Sequence, residues 1–243
     1  DAHIYAYYGL ALGRLYEQKI HLAGLSANVL AFRSLGKSNI EFANEAFEYI
    51  KNKKTCSVVA LDISGFFDNL DHEILKSSWA NLLEQDALPA DHFNIFKSLT
   101  KFSTVDKDKL YDVFGISNTN PKNGRFRVCN ALDFRQKVRK SNLIITNANK
   151  YGIPQGSPIS ALLSNIYMLE FDKVCKAVME RQGGVYLRYC DDMLFITDAD
   201  SRDAIEDFAI NEIQKLELKI NVNKTEIRDF TYENGKQTSN KPL

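Results

Sequence analysis

The sequence predicts an α+β fold, an antiparallel sheet backed by long helices. Three observations carry this. Short apolar runs rich in β-branched and aromatic residues, at 57–61, 185–190, 193–197 and 226–232, have the length of strands. Helical patterns at 38–50, 71–82, 157–181 and 200–216 separate them. Two of the runs, 185–190 and 193–197, flank a two-residue acidic link, Asp191 and Asp192, the spacing of a β-hairpin. The order is strand, helix, long insertion, helix, hairpin, helix, strand, and short links of this kind favour antiparallel neighbours. A chain of 243 residues is long enough for a large core and a second lobe. Residues 1–55 and the insertion are assigned to that lobe.

Each element has a local cause. Residues 3–36 read as mainly helical and 34–37 as a turn. Ser38 and Glu41 form a capping box, and Ile40, Ala43, Phe47 and Ile50 share the face of the helix that follows. Residues 58–62 read as a buried strand. Asp71 caps a helix with Ile74, Leu75, Ser78, Trp79 and Leu82 on its apolar side. Segments 124–129 and 143–148 read as strands of a basic hairpin or loop. Ser157 followed by Pro158 opens a helix that runs to about residue 181. Asp200 caps a helix with Ile205, Phe208, Ala209, Ile213 and Leu216 on one side.

Formal net charge is zero, so gross charge selects no partner, but its distribution is uneven. Between Lys122 and Lys150 lie Arg125, Arg127, Arg135, Lys137, Arg139 and Lys140 against a single acid, Asp133. Such a stretch fits a phosphate backbone, with Phe126 and Phe134 available for stacking. Cys56, Cys129, Cys175 and Cys190 show no CxxC or Cys/His spacing, which argues against zinc and for a reduced, cytoplasmic setting. No apolar stretch approaches 18 residues, so no membrane span is expected. The sequence starts without Met and stops abruptly, as a fragment of a longer protein would.

The chemistry concentrates in three places. Asp62 ends a strand run, where its carboxylate and the carbonyl of Ile63 can face one cation. Asp191 and Asp192 sit at the hairpin tip, where two like charges need a cation to neutralise them. Three carboxylates at strand ends predict a divalent-metal site, and hard oxygen ligands suit magnesium. The segment 152–158, Gly-Ile-Pro-Gln-Gly-Ser-Pro, is a Gly/Pro turn leading into a helix N-terminus, a site for an anionic or hydrogen-bonding substrate.

These residues bring a resemblance into view. The segment 62–72, Asp-Ile-Ser-Gly-Phe-Phe-Asp-Asn-Leu-Asp-His, resembles the first palm motif of reverse transcriptases. Residues 152–160 resemble the second, and Tyr189-Cys190-Asp191-Asp192 the YxDD box. Residues 216–225 resemble the fourth palm motif and 32–37 the fingers motif. All five occur in the family's order between about residues 30 and 228. The nearest lineage is the bacterial one of group II intron, retron and defence-associated enzymes. Cys190 stands where Ala or Val is commoner; as a small apolar residue it is expected to pack as they do.

The resemblance implies a right-hand polymerase fold. Residues 1–55 would be the N-terminal part of the fingers, 56–85 the first part of the palm and 86–150 a fingers insertion. Residues 151–232 would complete the palm, and 233–243 lead toward a primer-grip hairpin and helical thumb missing from this chain. The implied activity is RNA-directed DNA polymerase, a nucleotidyltransferase with two magnesium ions (or manganese in their place) on Asp62, Asp191 and Asp192, beside the Ile63 carbonyl. Arg33 and Lys37 would neutralise the triphosphate, Gln155 would contact the nucleotide near its sugar, and Lys224 would donate a proton to pyrophosphate. Phe67 would be the steric gate that selects deoxynucleotides. The implied partners are an RNA template, a DNA or RNA primer, dNTPs and a dedicated non-coding RNA; oligomeric state is not implied. The length of 86–150 and the arrangement of 32–37 lean toward antiphage defence. An RNA-dependent RNA polymerase and an inactive palm that binds RNA are the alternatives, and Phe67 and the intact carboxylates respectively argue against them.

Overall fold

The structure is a computed structural model and describes residues 2–241. Helix α1 (Ala2–Leu22) is followed by turns, α2 (Asn39–Lys53) and β1 (Cys56–Asp62). A single helical turn, α3 (Phe66–Asn69), precedes α4 (His72–Leu82) and α5 (Ala90–Thr100). The insertion holds β2 (Ser103–Val105), α6 (Lys107–Phe114), the short α7 (Ala131–Asp133) running into a π-helical turn at Phe134–Arg139, and β3 (Ile144–Thr146). Then come α8 (Ser160–Arg181), β4 (Val185–Tyr189), β5 (Asp192–Thr197), α9 (Arg202–Lys215), β6 (Glu226–Glu233) and β7 (Lys236–Ser239). Strands β4-β5-β1-β6-β7 form one antiparallel sheet, and β2 and β3 pair separately. The expected α+β architecture is what forms.

Strand alternation divides the sheet into two unlike faces. Val59, Leu61, Met193, Phe195 and Tyr186 point into the main core, where they meet Leu12 and Tyr16 of α1, Trp79 of α4 and Leu163, Tyr167 and Phe171 of α8. The opposite face carries Val58, Leu187, Leu194, Ile196 and Phe230 and is covered more thinly, by Phe42 and Ile50 of α2. Asp62 and Asp192 lie on this second face by the same alternation. Removing Phe195, fully buried at the centre of the larger core, would cost about 3–5 kcal/mol.

Local signals place several ends as expected. Ser38 and Glu41 form the complete capping box of α2. Asp71 Oδ1 accepts the backbone N–H groups of Glu73 and Ile74 at 2.8 and 2.9 Å and so starts α4.

Other elements differ from the sequence reading. Helix α1 ends at Leu22, and Val29 instead bridges to Arg188, because the backbone of 28–30 satisfies the edge of β4. On α2 the buried side holds Phe42 and Ile50, while Ile40 and Phe47 are 76% and 52% exposed. The helix lies on the sheet along its 42–46–50 line rather than along 40–43–47. Residues 124–129 form no strand; the partner of β3 is β2, which turns the exposed Phe126 and Val128 to solvent. Helix α8 begins at Ser160, with Ser157 and Pro158 in the turn before it. Ser160 Oγ donates to the Pro154 carbonyl at 2.7 Å, which closes that turn. Asp200 lies in a 3₁₀ turn one step ahead of α9, whose N-cap is Ser201. The expected connection beyond residue 232 contains β7, hairpinned to β6 across Asn234 and Gly235, both at positive φ as a tight two-residue turn needs.

The loop 152–156 is stitched onto the segment that follows β1. The Gly152 N–H donates to the Leu70 carbonyl and the Ile153 N–H to the Phe67 carbonyl, each at 2.9 Å. Gly152 has φ +89°, and a Cβ there would stand 2.9 Å from the Asp68 carbonyl oxygen. Gly152→Ala is therefore expected to destabilise the protein by about 1–3 kcal/mol, measurable by denaturant titration. An unchanged midpoint would show that the loop can move off Asp68 at no cost.

Candidate active site

The site forms where the open face of the sheet ends. Asp62 is the last residue of β1 and pairs across the ladder with Asp192, the first residue of β5. The two-residue turn between β4 and β5 is Cys190 and Asp191, one position earlier than the aspartate pair itself. Asp191 is thus at the tip and Asp192 is already in the sheet. The tip is tied to β1 by the Ile63 N–H, which donates to the Asp191 carbonyl at 3.2 Å. All three carboxylates are electrostatic neighbours, and the Asp192 carboxyl is pushed above its usual value by burial first, then by Asp191 and Asp62, against the opposing pull of Lys224.

Lys224 completes the group. Its Nζ donates to Asp62 Oδ2 at 2.9 Å. The Asn221 N–H donates to the Asp62 carbonyl at 2.8 Å, which docks the 3₁₀ turn Val222–Lys224 against the end of β1. The Lys224 ammonium is shifted to hold its proton more tightly, chiefly by this bond to Asp62 and then by the surrounding acids. Asp62 is only 6% exposed, whereas the Lys224 side chain is 64% exposed. Beside them lies a cleft of about 550 Å³ between α2 and the sheet, walled by Phe42, Leu187, Tyr189 and Leu194.

The three carboxylates do not yet form a closed cage. Among the described residues, no group of three His, Cys, Asp or Glu side chains is gathered to hold a metal ion. The expected constellation of Asp62, Ile63, Asp191 and Asp192 is adjacent but open, and the cation facing Asp62 is the ammonium of Lys224. The donor chemistry fits a hard divalent ion: carboxylate oxygens in excess of local positive charge, with one carboxyl group perturbed by its like-charged neighbours.

The remaining candidates divide. Phe66 is buried in the core and Phe67 is half-buried, 6.3 Å from the Phe32 ring. Both belong to a helical turn rather than a strand, so strand alternation does not separate them. Gln155 is exposed on its turn. Lys37 is paired with Glu45 and lies 6.0 Å from the ring of Phe42, a cleft residue. Arg33 departs from the expectation of a free triphosphate clamp. Its buried guanidinium grips both oxygens of Glu17 at 2.8 and 2.7 Å and donates to the carbonyls of Ser26 and Val29, so it fastens the turn to α1. Arg125, Arg127, Arg135, Lys137, Arg139 and Lys140 are exposed on the insertion, and none lines the cleft. The Cys190 thiol is pushed up to about 12, first by burial and then by Asp191, which excludes a resting thiolate. The four cysteines are unpaired.

Sequence reasoning missed Arg188, Asp172 and Asn165, which lie buried behind the tip. The available signal was a full charge in the middle of each of two otherwise apolar elements.

An antiparallel sheet with helices on one face and opposed aspartates at the end of the other defines a polymerase palm. Residues 11–237 match the family described as reverse transcriptase (RNA-dependent DNA polymerase), and the chain belongs to that family. Its fold is similar to apo telomerase from Candida tropicalis, at 17% identity and a TM-score of 0.55, over 96% of this chain and 41% of that one. A form of that telomerase truncated from its C-terminal domain gives 16% identity and 0.53, over 95% and 45%. The same enzyme with a TWJ fragment of telomeric RNA gives 18% and 0.53, over 90% and 33%. The chain thus spans less than half the length of these structures.

The environment of Asp192 has a consequence for pH. Its folded carboxyl holds a proton more tightly than the unfolded one, whose reference value is 3.8. Its contribution to stability is therefore complete below that value and is lost as pH rises through the folded one. Asp192→Asn is expected to be more stable than the parent at pH 7, with the gap narrowing toward pH 3.8, in urea unfolding at a series of pH values. A gap independent of pH would contradict the crowding of these charges.

Proposed function

We propose that this chain is the catalytic core of an RNA-directed DNA polymerase that extends a 3′-hydroxyl with deoxynucleotides. The observation that carries the proposal is the pairing of Asp62 with Asp192 across β1 and β5, with Asp191 at the adjoining turn and all three beside a cleft. Asp62, Asp191 and Asp192, with the Ile63 carbonyl, would hold two magnesium ions, or manganese in their place. Bound there, the ions would supply activation of the primer hydroxyl and stabilisation of the pyrophosphate leaving group.

The chain's own residues account for the rest. Lys224 carries an ammonium proton within hydrogen-bond distance of Asp62 and is solvent-accessible, as a donor to a leaving phosphate must be. Phe67 presents the edge of a half-buried ring between Phe32 and Phe66, where bulk would exclude a 2′-hydroxyl. Its carbonyl also holds the loop that bears Gln155, so the gate and the sugar contact are joined by one hydrogen bond. Lys37, at the cleft margin, would meet the triphosphate by leaving Glu45. The exposed basic residues of the insertion, Arg125 to Lys140, would follow the phosphate backbone of an RNA template and its primer. The length of this insertion also supports a cytoplasmic role in antiphage defence with a dedicated non-coding RNA.

The full-length protein with Asp191→Ala or Asp192→Ala is expected to lose magnesium-dependent DNA synthesis while keeping its thermal midpoint. Synthesis at the parent rate by either variant would remove that residue from the site. Phe67→Ala is expected to admit ribonucleotides, read as the ratio of rNTP to dNTP incorporation. An unchanged ratio would assign Phe67 to packing alone.

A further inference from the structure

The strand that leads into the acidic turn carries a charge where alternation calls for an apolar side chain. Arg188 points to the core side of β4 and is fully excluded from solvent. Its Nε and Nη2 donate to the two oxygens of Asp172 at 2.7 and 2.6 Å. Its Nη1 donates to Asn165 Oδ1 at 3.1 Å and to the carbonyl of Cys190 at 2.9 Å. Tyr186 donates its hydroxyl to Asp172 at 2.7 Å, and Asn165 donates to the Ala31 carbonyl at 3.0 Å.

Stability alone does not explain this arrangement, since a well-packed apolar pair of similar volume is often as stable as a buried ion pair. An apolar pair could not donate to Cys190. That residue has φ +60°, a conformation that disfavours any side chain with a Cβ, and it immediately precedes Asp191 and Asp192. The left-handed residue at the tip is therefore bonded through its carbonyl to a guanidinium that two helical residues hold rigid.

We infer that Arg188 is a positioning residue: through the Cys190 carbonyl it fixes the turn that aims Asp191 and Asp192 at Asp62. The inference rests on the polymerase reading above. Arg188 also reaches the other side of the cleft through its backbone. Its N–H donates to Asn28 at 2.7 Å and its carbonyl accepts from Leu30 at 2.9 Å. The segment so anchored leads to Phe32, the neighbour of Phe67. One residue thus sets the carboxylate tip and the entry to the gate in common register.

The test uses the full-length protein. Arg188→Lys keeps a cation for Asp172 but lacks the fork that also serves Cys190. The Ile63 N–H, which donates to the Asp191 carbonyl, is expected to exchange with deuterium about tenfold faster, while amides in the middle of α8 keep their protection. The kcat for DNA synthesis is expected to fall roughly 10²-fold with KM for dNTP unchanged. The double variant Arg188→Met with Asp172→Met removes both charges together and is expected to show the same local loss at Ile63, should the lysine variant fail to fold. Unchanged protection at Ile63, or loss shared equally with α8, overturns the inference. Absence of synthesis by the unmodified protein would instead count against the polymerase proposal, and the exchange data would still decide whether Arg188 holds the turn.

Discussion

The pairing of β1 with β5 is the constraint on which the site depends. Its register runs from Ser57 opposite Thr197 to Asp62 opposite Asp192. Because side chains alternate, this register sends Val59, Leu61, Met193 and Phe195 into the core and Asp62 and Asp192 to the open face. A slip of one residue would reverse that assignment along the whole of β5. Phe195 would lose about 2–3 kcal/mol of burial. Asp192 would meanwhile enter the core without a partner, at several kcal/mol more. The hydrophobic pattern and the carboxylate geometry are therefore two consequences of one alignment.

Around that alignment, segments distant in sequence are held by short backbone contacts rather than by side-chain packing. The Lys224 turn is docked through Asn221 to Asp62, the acidic tip through Asp191 to Ile63, and the Gly-rich loop through Ile153 to Phe67. Each of these bonds lands on residues 62–67, just where β1 ends and the chain turns into α3. A Cβ at Gly152 would collide with that same stretch. The end of β1 thus serves as the common reference for every group proposed to touch the nucleotide.

Much of this was legible in the sequence, for physical reasons that differ from residue to residue. Ser38 and Asp71 announce helix starts because their side chains bond local backbone groups and need no tertiary partner. The hairpin 185–197 is legible because its alternation is strong and its link is short. Failures fall where distant contacts override local preference. Ser157 looks like a cap, but Ser160 closes the turn on Pro154 and the helix starts later. Residues 124–129 have strand composition but find no partner, since β3 pairs with β2. Arg33 has the right motif spacing for a phosphate ligand, yet nothing in its neighbourhood of sequence reveals that Glu17, a full helix away, occupies it on both sides. The Arg188 network was invisible for the same reason: a charge inside an apolar strand is a visible anomaly, but its partners sit on another element.

The two cations near the tip play opposite parts, and their burial shows why. Arg188 is sealed from water and bonded on every side, so its charge cannot be released without leaving Asp172 unpaired in the core, a loss of about 3–5 kcal/mol. Lys224 meets an equally acidic neighbourhood but from the solvent side, with most of its side chain exposed. Its bond to Asp62 is screened by water and worth little to the fold, so the ammonium can move off the carboxylate without uncovering apolar surface. A site that must hold its carboxylates still while a proton donor moves among them needs this asymmetry: a fixed charge behind the turn and a mobile one in front of it.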